Sequence, residues 1–180
     1  IAQCHRRGIL VFAWLELPHV SEEFWRAHPG WREKTALGQD AHLDWRKLMN
    51  LVDSDCFAAA AAGVRELLLR FDWDGVNLAE LYFESLQGHD NPSRFTPMNS
   101  VVRGEFQARH GFDPADLFNA ASPRNRKANP DGLRLWLDYR SRLAHRLQVQ
   151  WIEELERLRA VKPGLALVLT HIDDQFDPAM

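Results

Sequence analysis

Three short apolar runs, at residues 9–15, 76–78 and 165–170, each stand behind a turn that carries glycine. None shows the apolar/polar alternation of a strand with one wet face. Each is therefore predicted to be a strand buried on both faces. Between them, apolar positions recur at helical spacing. Residues 55–70 set Phe57, Ala60, Ala61, Val64, Leu67 and Leu68 along one stripe behind a cap at Asp53 or Ser54. Residues 132–161 do the same with Leu135, Tyr139, Leu143, Leu147, Trp151, Leu155 and Leu158, stopped by Pro163-Gly164. Shorter helices are predicted at 1–7, 21–28 and 99–110, ended by Gly8, Pro29-Gly30 and Gly111. Another begins at Asp113-Pro114. Residues 30–50 read as a long polar and aromatic connection of weak structure, a length that in a compact domain marks function. Residues 85–97 and 119–131 read as loops.

Apolar strands joined by helices lie parallel, with right-handed crossovers. The fold class is therefore α/β, built from parallel β/α units. Three strands do not close an eight-stranded barrel, which takes about 250 residues. The expectation is one domain over residues 1–180, the middle section of a (β/α)8 TIM barrel whose remaining part belongs to a longer chain. The chain starts at Ile1 inside a helix end and stops at Met180 soon after a strand, which also reads as an excised piece. The alternative is a small doubly wound sheet, but the glycine-rich phosphate loop that would support it is missing.

With a net charge of -3, the sequence carries no electrostatic footprint for nucleic acid or an anionic membrane. No run is long enough to span a membrane, and no signal peptide is visible. The two cysteines, Cys4 and Cys56, make no disulfide framework and leave the compartment open. Eight histidines invite a search for metal sites, yet there is no His-x-x-x-His and no Cys-x-x-Cys. Neither a metal nor a cofactor is expected. The run His171-x-Asp173-Asp174, joined by Glu80, leaves a metal-dependent hydrolase as a lesser alternative.

A carboxylate follows each predicted strand: Glu16, Glu80 and the pair Asp173-Asp174. Barrel enzymes place catalytic groups at the C-terminal ends of parallel strands, and glycosidic cleavage needs two carboxylates about 5–10 Å apart. Glu80 enters Leu81-Tyr82-Phe83, an apolar setting that raises a carboxyl pKa as a general acid requires. Glu80 with Asp173 or Asp174 is the catalytic set, and Asp173 is preferred because it shares a side with His171. Glu16, His19, Trp14, Asn77, Tyr82 and His171 are the substrate-binding candidates. Each has a plainer reading as a loop-bonded carboxylate, a buried amide with a partner, or packing. Asp74-Gly75 reads as turn chemistry at the strand entry, away from the site. Seven tryptophans suit either a sugar-stacking cleft or core filling, with Trp14, Trp31, Trp45, Tyr82 and Phe83 as candidate stackers.

The segments at residues 5–14 (HRRGILVFAW), 28–31 (HPGW), 51–55 (LVDSD), 70–80 (RFDWDGVNLAE) and 110–114 (HGFDP), with Trp136 and Arg140 on the long helix, resemble the glycosyl-hydrolase-like barrel family. These are distant relatives of the α-amylase and poly-N-acetylglucosamine hydrolase barrels. The resemblance covers nearly the whole chain. It implies a TIM barrel, a poly- or oligosaccharide substrate, carboxylate general acid/base or nucleophile chemistry, and an extracytoplasmic location. Many members carry two consecutive acids after the strand, where this chain has Ala79-Glu80, so the carry-over rests on Glu80. That departure keeps a second reading open, a carbohydrate-binding barrel without catalysis.

Overall fold

The computed structural model describes residues 1–79, 81–85 and 87–170. Its strands are β1 (Phe12–Glu16), β2 (His42–Leu43), β3 (Arg46–Lys47), β4 (Gly75–Ala79) and β5 (Ala166–Thr170). Its helices are α1 (Ala2–His5), α2 (Glu22–Ala27), α3 (Ser54–Arg70), α4 (Ser100–His110) and α5 (Pro130–Arg159). Three strands form a parallel sheet in the order β1-β4-β5, and β2 pairs with β3 in a small antiparallel hairpin. The chain is thus mixed α/β with a parallel sheet, as the pattern of apolar runs predicts. Among the described residues, no helix is long and apolar enough to cross a membrane.

The caps follow the expected chemistry. Ser21 Oγ accepts from the Phe24 N–H, and Asp53 Oδ1 accepts from the N–H groups of Asp55 and Cys56. Asn129 caps α5, with Pro130 at its first position. Gly111 ends α4 with a φ of 77°, a conformation open to glycine without strain. On α5 the buried stripe runs Trp136, Tyr139, Leu143, Leu147, Trp151, Leu155 and Leu158. The stripe starts at Trp136 rather than Leu135, which is exposed.

Among the described residues, helices cover one face of the sheet. Ala13, Val76 and Leu78 are buried in one core with Cys56 and Leu68 of α3 and the α5 stripe, and Leu15 and Leu167 pack against it. The other face carries Phe12, Trp14 and Glu16 on β1, Asn77 on β4, and Val168 and Thr170 on β5. There Trp14 is 56% exposed and Val168 41%. The expectation that all strands are buried on both faces fails for β1 and β5: Trp14 and Val168 are exposed on this side, and Leu169, in register with Leu78 on the helix side, is exposed as well. Strand β1 also starts later than expected, leaving Ile9 and Leu10 exposed ahead of it.

Residues 30–50 are not weakly structured. Glu33, Thr35, Ala41, Leu43, Leu48, Met49 and Asn50 are buried there. Asn99 ties the segment down, accepting from the Lys34 N–H at 2.9 Å and donating to the Arg32 carbonyl at 2.8 Å. Side-chain bonding to backbone replaces the apolar periodicity that would have announced structure.

The entry to β4 differs in kind from a simple turn. The Asp74 carboxylate accepts from the Val11 N–H at 2.6 Å and bonds the His5 ring at 2.8 Å, joining α1, β1 and β4. These contacts, the Val11 N–H first, hold its pKa below the usual value. Gly75 lies within the strand because the Phe12 ring sits on it. A Cβ there would stand 2.1 Å from Phe12 Cε1 and 2.8 Å from the Ala166 carbonyl oxygen. Gly75→Ala should therefore destabilise the protein by about 2–4 kcal/mol, read as a lower urea midpoint at unchanged slope. A loss within about 0.5 kcal/mol would show that the ring moves aside freely.

Candidate functional site

The parallel register fixes the last row of the sheet. Glu16 pairs with Ala79, and Ala79 with Thr170, all at the C-terminal edge. Neighbouring strands stand about 4.8 Å apart, so this edge brings together whatever leaves the strand ends. Trp14, two residues before Glu16 on the same face, donates its indole N–H to Glu16 Oε1 at 3.0 Å. On the next strands Asn77 and Thr170 bond each other at 3.0 and 3.1 Å. Among the described residues, Thr170 is the partner that this amide finds.

Beyond Glu16 the chain turns through a cis Leu17–Pro18 peptide and pairs with the hairpin. His19 bridges Leu48, and the Val20 N–H donates to the Lys47 carbonyl at 3.1 Å. The Lys47 N–H in turn donates to His19 Nδ1 at 2.9 Å. Burial, working against the nearby Glu16 charge, lowers the His19 pKa. A neutral ring whose Nδ1 accepts carries its proton on Nε2, so His19 can donate from that atom.

A cleft forms here, walled by Glu16, His19, Arg46, Leu48, Tyr82 and Glu84. Arg46 donates to the Tyr82 hydroxyl at 3.1 Å and forms an ion pair with the fully buried Glu84 carboxylate. Burial works to lower the Arg46 pKa, but Glu84 and Tyr82 outweigh it and the pKa rises. The pair is a fixed charge arrangement.

The segment after β4 is held from behind by a buried polar group. Thr96 accepts the Glu84 N–H at 2.9 Å and returns its own N–H to the Glu84 carbonyl at 3.1 Å. Arg140 Nε donates to the Thr96 carbonyl at 2.6 Å, and its Nη2 reaches the carbonyls of Phe83 and Glu84 at 3.4 and 3.2 Å. The guanidinium lies 3.9 Å over the Phe95 ring. Glu33, 1% exposed, completes the group. It lines a neighbouring cavity that shares Pro18 and Tyr82 with the cleft and includes Met49, Leu81 and Leu147.

Of the residues named from sequence, Glu16, His19, Trp14 and Tyr82 come together at the sheet's C-terminal edge, and Asn77 shares their sheet face. Glu80, His171, Asp173 and Asp174 lie outside the described residues. Phe83 is buried in the core and offers no stacking surface, while Trp31 packs against the core and stacks on His28. Among the described residues, no group of three His, Cys, Asp or Glu side chains is placed to hold a metal ion.

Sequence reasoning passed over Arg46, Glu84, Glu33 and Thr96, and took Arg140 only as part of the family resemblance. Arg140 alone left a signal, being a charge four residues after Trp136 and three before Leu143, on the apolar stripe of α5. Comparison of the chain with protein-family models, with curated proteins and with solved structures found no match.

Proposed function

We propose that the chain is part of a glycosyl-hydrolase-like (β/α)8 barrel acting on a poly- or oligosaccharide. Glu80 and one of Asp173 and Asp174 are its carboxylate pair, and Glu16, His19, Trp14, Asn77, Tyr82 and His171 bind the sugar. Among the described residues, helices on a single face support a barrel over a doubly wound sheet, which has helices on both. The bare face with Phe12, Trp14 and Asn77 is then the lumen, and the rest of the barrel belongs to the full-length chain.

One observation carries the carbohydrate reading. Trp14 and Trp45, 56% and 60% exposed, flank the Glu16–His19 edge of the cleft, while the other five tryptophans are buried or packed against the core. Exposed aromatic faces beside fixed donors and acceptors suit a pyranose, which has an apolar C–H face and a hydroxyl rim. The acid of the pair protonates the leaving glycosidic oxygen, and the other carboxylate attacks the anomeric carbon or activates water. Glu16 and His19 orient the hydroxyls.

In the full-length protein, release of new reducing ends from soluble glycans tests the proposal. Glu80→Gln and Glu16→Gln should each lower the rate at least tenfold. Turnover unchanged in both variants would sink the catalytic assignment. Ala79 favours the second reading, a binding barrel without catalysis, because it fills the last-row position beside Glu16 and is fully buried. Glycan binding without product from any glycan, surviving both substitutions, would establish that reading.

A further inference from the structure

Trp45 stands at the tip of the β2–β3 hairpin, 60% exposed, on a turn held at both ends. Asp44 before it has a φ of 58° and is the one non-glycine residue of positive φ among the described residues. Arg94 grips both oxygens of its carboxylate, at 3.0 and 2.7 Å. Arg46 after it is anchored to Glu84. Lys47 is held twice, by His19 through its backbone and by Glu22 through its ammonium at 2.9 Å. The His19 ring meets the Trp45 ring edge-on at 4.9 Å. A hairpin of two-residue strands is marginal on its own, and these contacts hold its tip in one conformation.

We infer that Trp45 is a stacking platform for one pyranose ring of the ligand, a subsite next to the one at Glu16 and Trp14. The inference rests on the carbohydrate reading above and extends it to a site outside the sheet. A rigid indole offers a wide apolar face at little entropic cost. The C–H face of a sugar lies on it while ring hydroxyls reach His19 Nε2 and the Glu16 carboxylate at the cleft edge. A nucleobase would stack equally well, but the cations beside Trp45 are already engaged, Arg94 with Asp44 and Lys47 with Glu22, which weakens their hold on its phosphates. The local charge therefore selects a neutral saccharide, at least two residues long if it is to touch both tryptophans.

The test is calorimetric titration of the full-length protein in a Glu80→Gln background, so that the added sugar is not consumed. The ligands are cellohexaose, maltohexaose and chitohexaose. Trp45→Ala should weaken binding of the accepted hexasaccharide about tenfold and remove part of the ligand-induced tryptophan fluorescence change. Trp45→Phe should restore most of the affinity. Both variants should melt within about 2 °C of the parent, since the side chain is largely exposed. Unchanged affinity in Trp45→Ala, with binding intact in the parent, overturns the platform and leaves the carbohydrate reading standing. Failure of all three sugars to bind the parent and the unsubstituted protein overturns both.

Discussion

Arg140→Met should destabilise the protein by about 3–5 kcal/mol, the cost of breaking a fully desolvated charge network from one side. The guanidinium serves three backbone carbonyls, those of Phe83, Glu84 and Thr96. Methionine fills the volume but donates nothing, so the Thr96 carbonyl is left buried without its donor, at about 1–3 kcal/mol, while the Glu84 carbonyl keeps the Thr96 N–H. The cation–π contact with Phe95 goes as well. Replacing a buried ion pair by apolar groups is often neutral. Here the arginine's partners are main-chain oxygens that no substitution removes. For a chain of this length the melting temperature should fall by roughly 10 °C or more. Arg140→Lys keeps the charge but loses the planar fork, and should fall between the two. A loss under about 1 kcal/mol in Arg140→Met, by denaturant titration, would mean that the carbonyls find other donors.

The same substitution reaches the cleft. Arg140 and Thr96 together fix the backbone of Phe83 and Glu84, and Glu84 holds Arg46, which holds Tyr82. A change on the core face of α5 therefore moves the wall of a site that no α5 residue lines.

The elements were legible in the sequence wherever one periodicity governed them. Leu143, Leu147, Trp151, Leu155 and Leu158 announced α5 by spacing alone, and Asp53 and Gly111 marked helix ends by cap chemistry. What stayed hidden depends on long-range neighbours. Phe12 and Trp14 look like core residues until they are seen exposed on the side of the sheet away from α3 and α5. Gly75 looks like a turn residue until Phe12 is found lying on it. Residues 30–50 fold through Asn99, Phe95 and Pro18, contacts that no local pattern encodes. Glu16, His19, Trp14 and Tyr82 were legible as neighbours of one sheet edge because a strand end is a local feature. Arg46 and Glu84, 38 positions apart, were not.

Glu33→Gln should reverse its effect on stability with pH, and this follows from one buried carboxyl. Burial pushes the Glu33 pKa from 4.5 up to about 8, against a hydrogen bond from the Thr96 hydroxyl and the attraction of Arg140. Its Oε1 has no hydrogen-bond partner among the described residues. Arg140 is drawn the other way, its pKa lowered to about 10 by burial against the charges of Glu33 and Glu84. For both groups the loss of hydration outweighs their mutual attraction, and at neutral pH Glu33 is the one that is mainly uncharged. The folded protein thus keeps a proton that the unfolded chain releases near pH 4.5. Stability contributed by this group is full below about pH 4.5, falls as the pH rises, and levels off above about pH 8. The fall should be roughly 2–4 kcal/mol, less than the full shift implies because the interior relaxes around a charge. Glutamine keeps the shape and does not titrate. The variant should match or slightly trail the parent at pH 5 and exceed it by about 2 kcal/mol or more at pH 8. Subtracting the two stability curves cancels the titrating groups that do not interact with Glu33, His19 among them. A difference that stays constant from pH 5 to pH 9 would show that Glu33 is already ionised in the fold at pH 5, and would make Arg140 its salt-bridge partner instead.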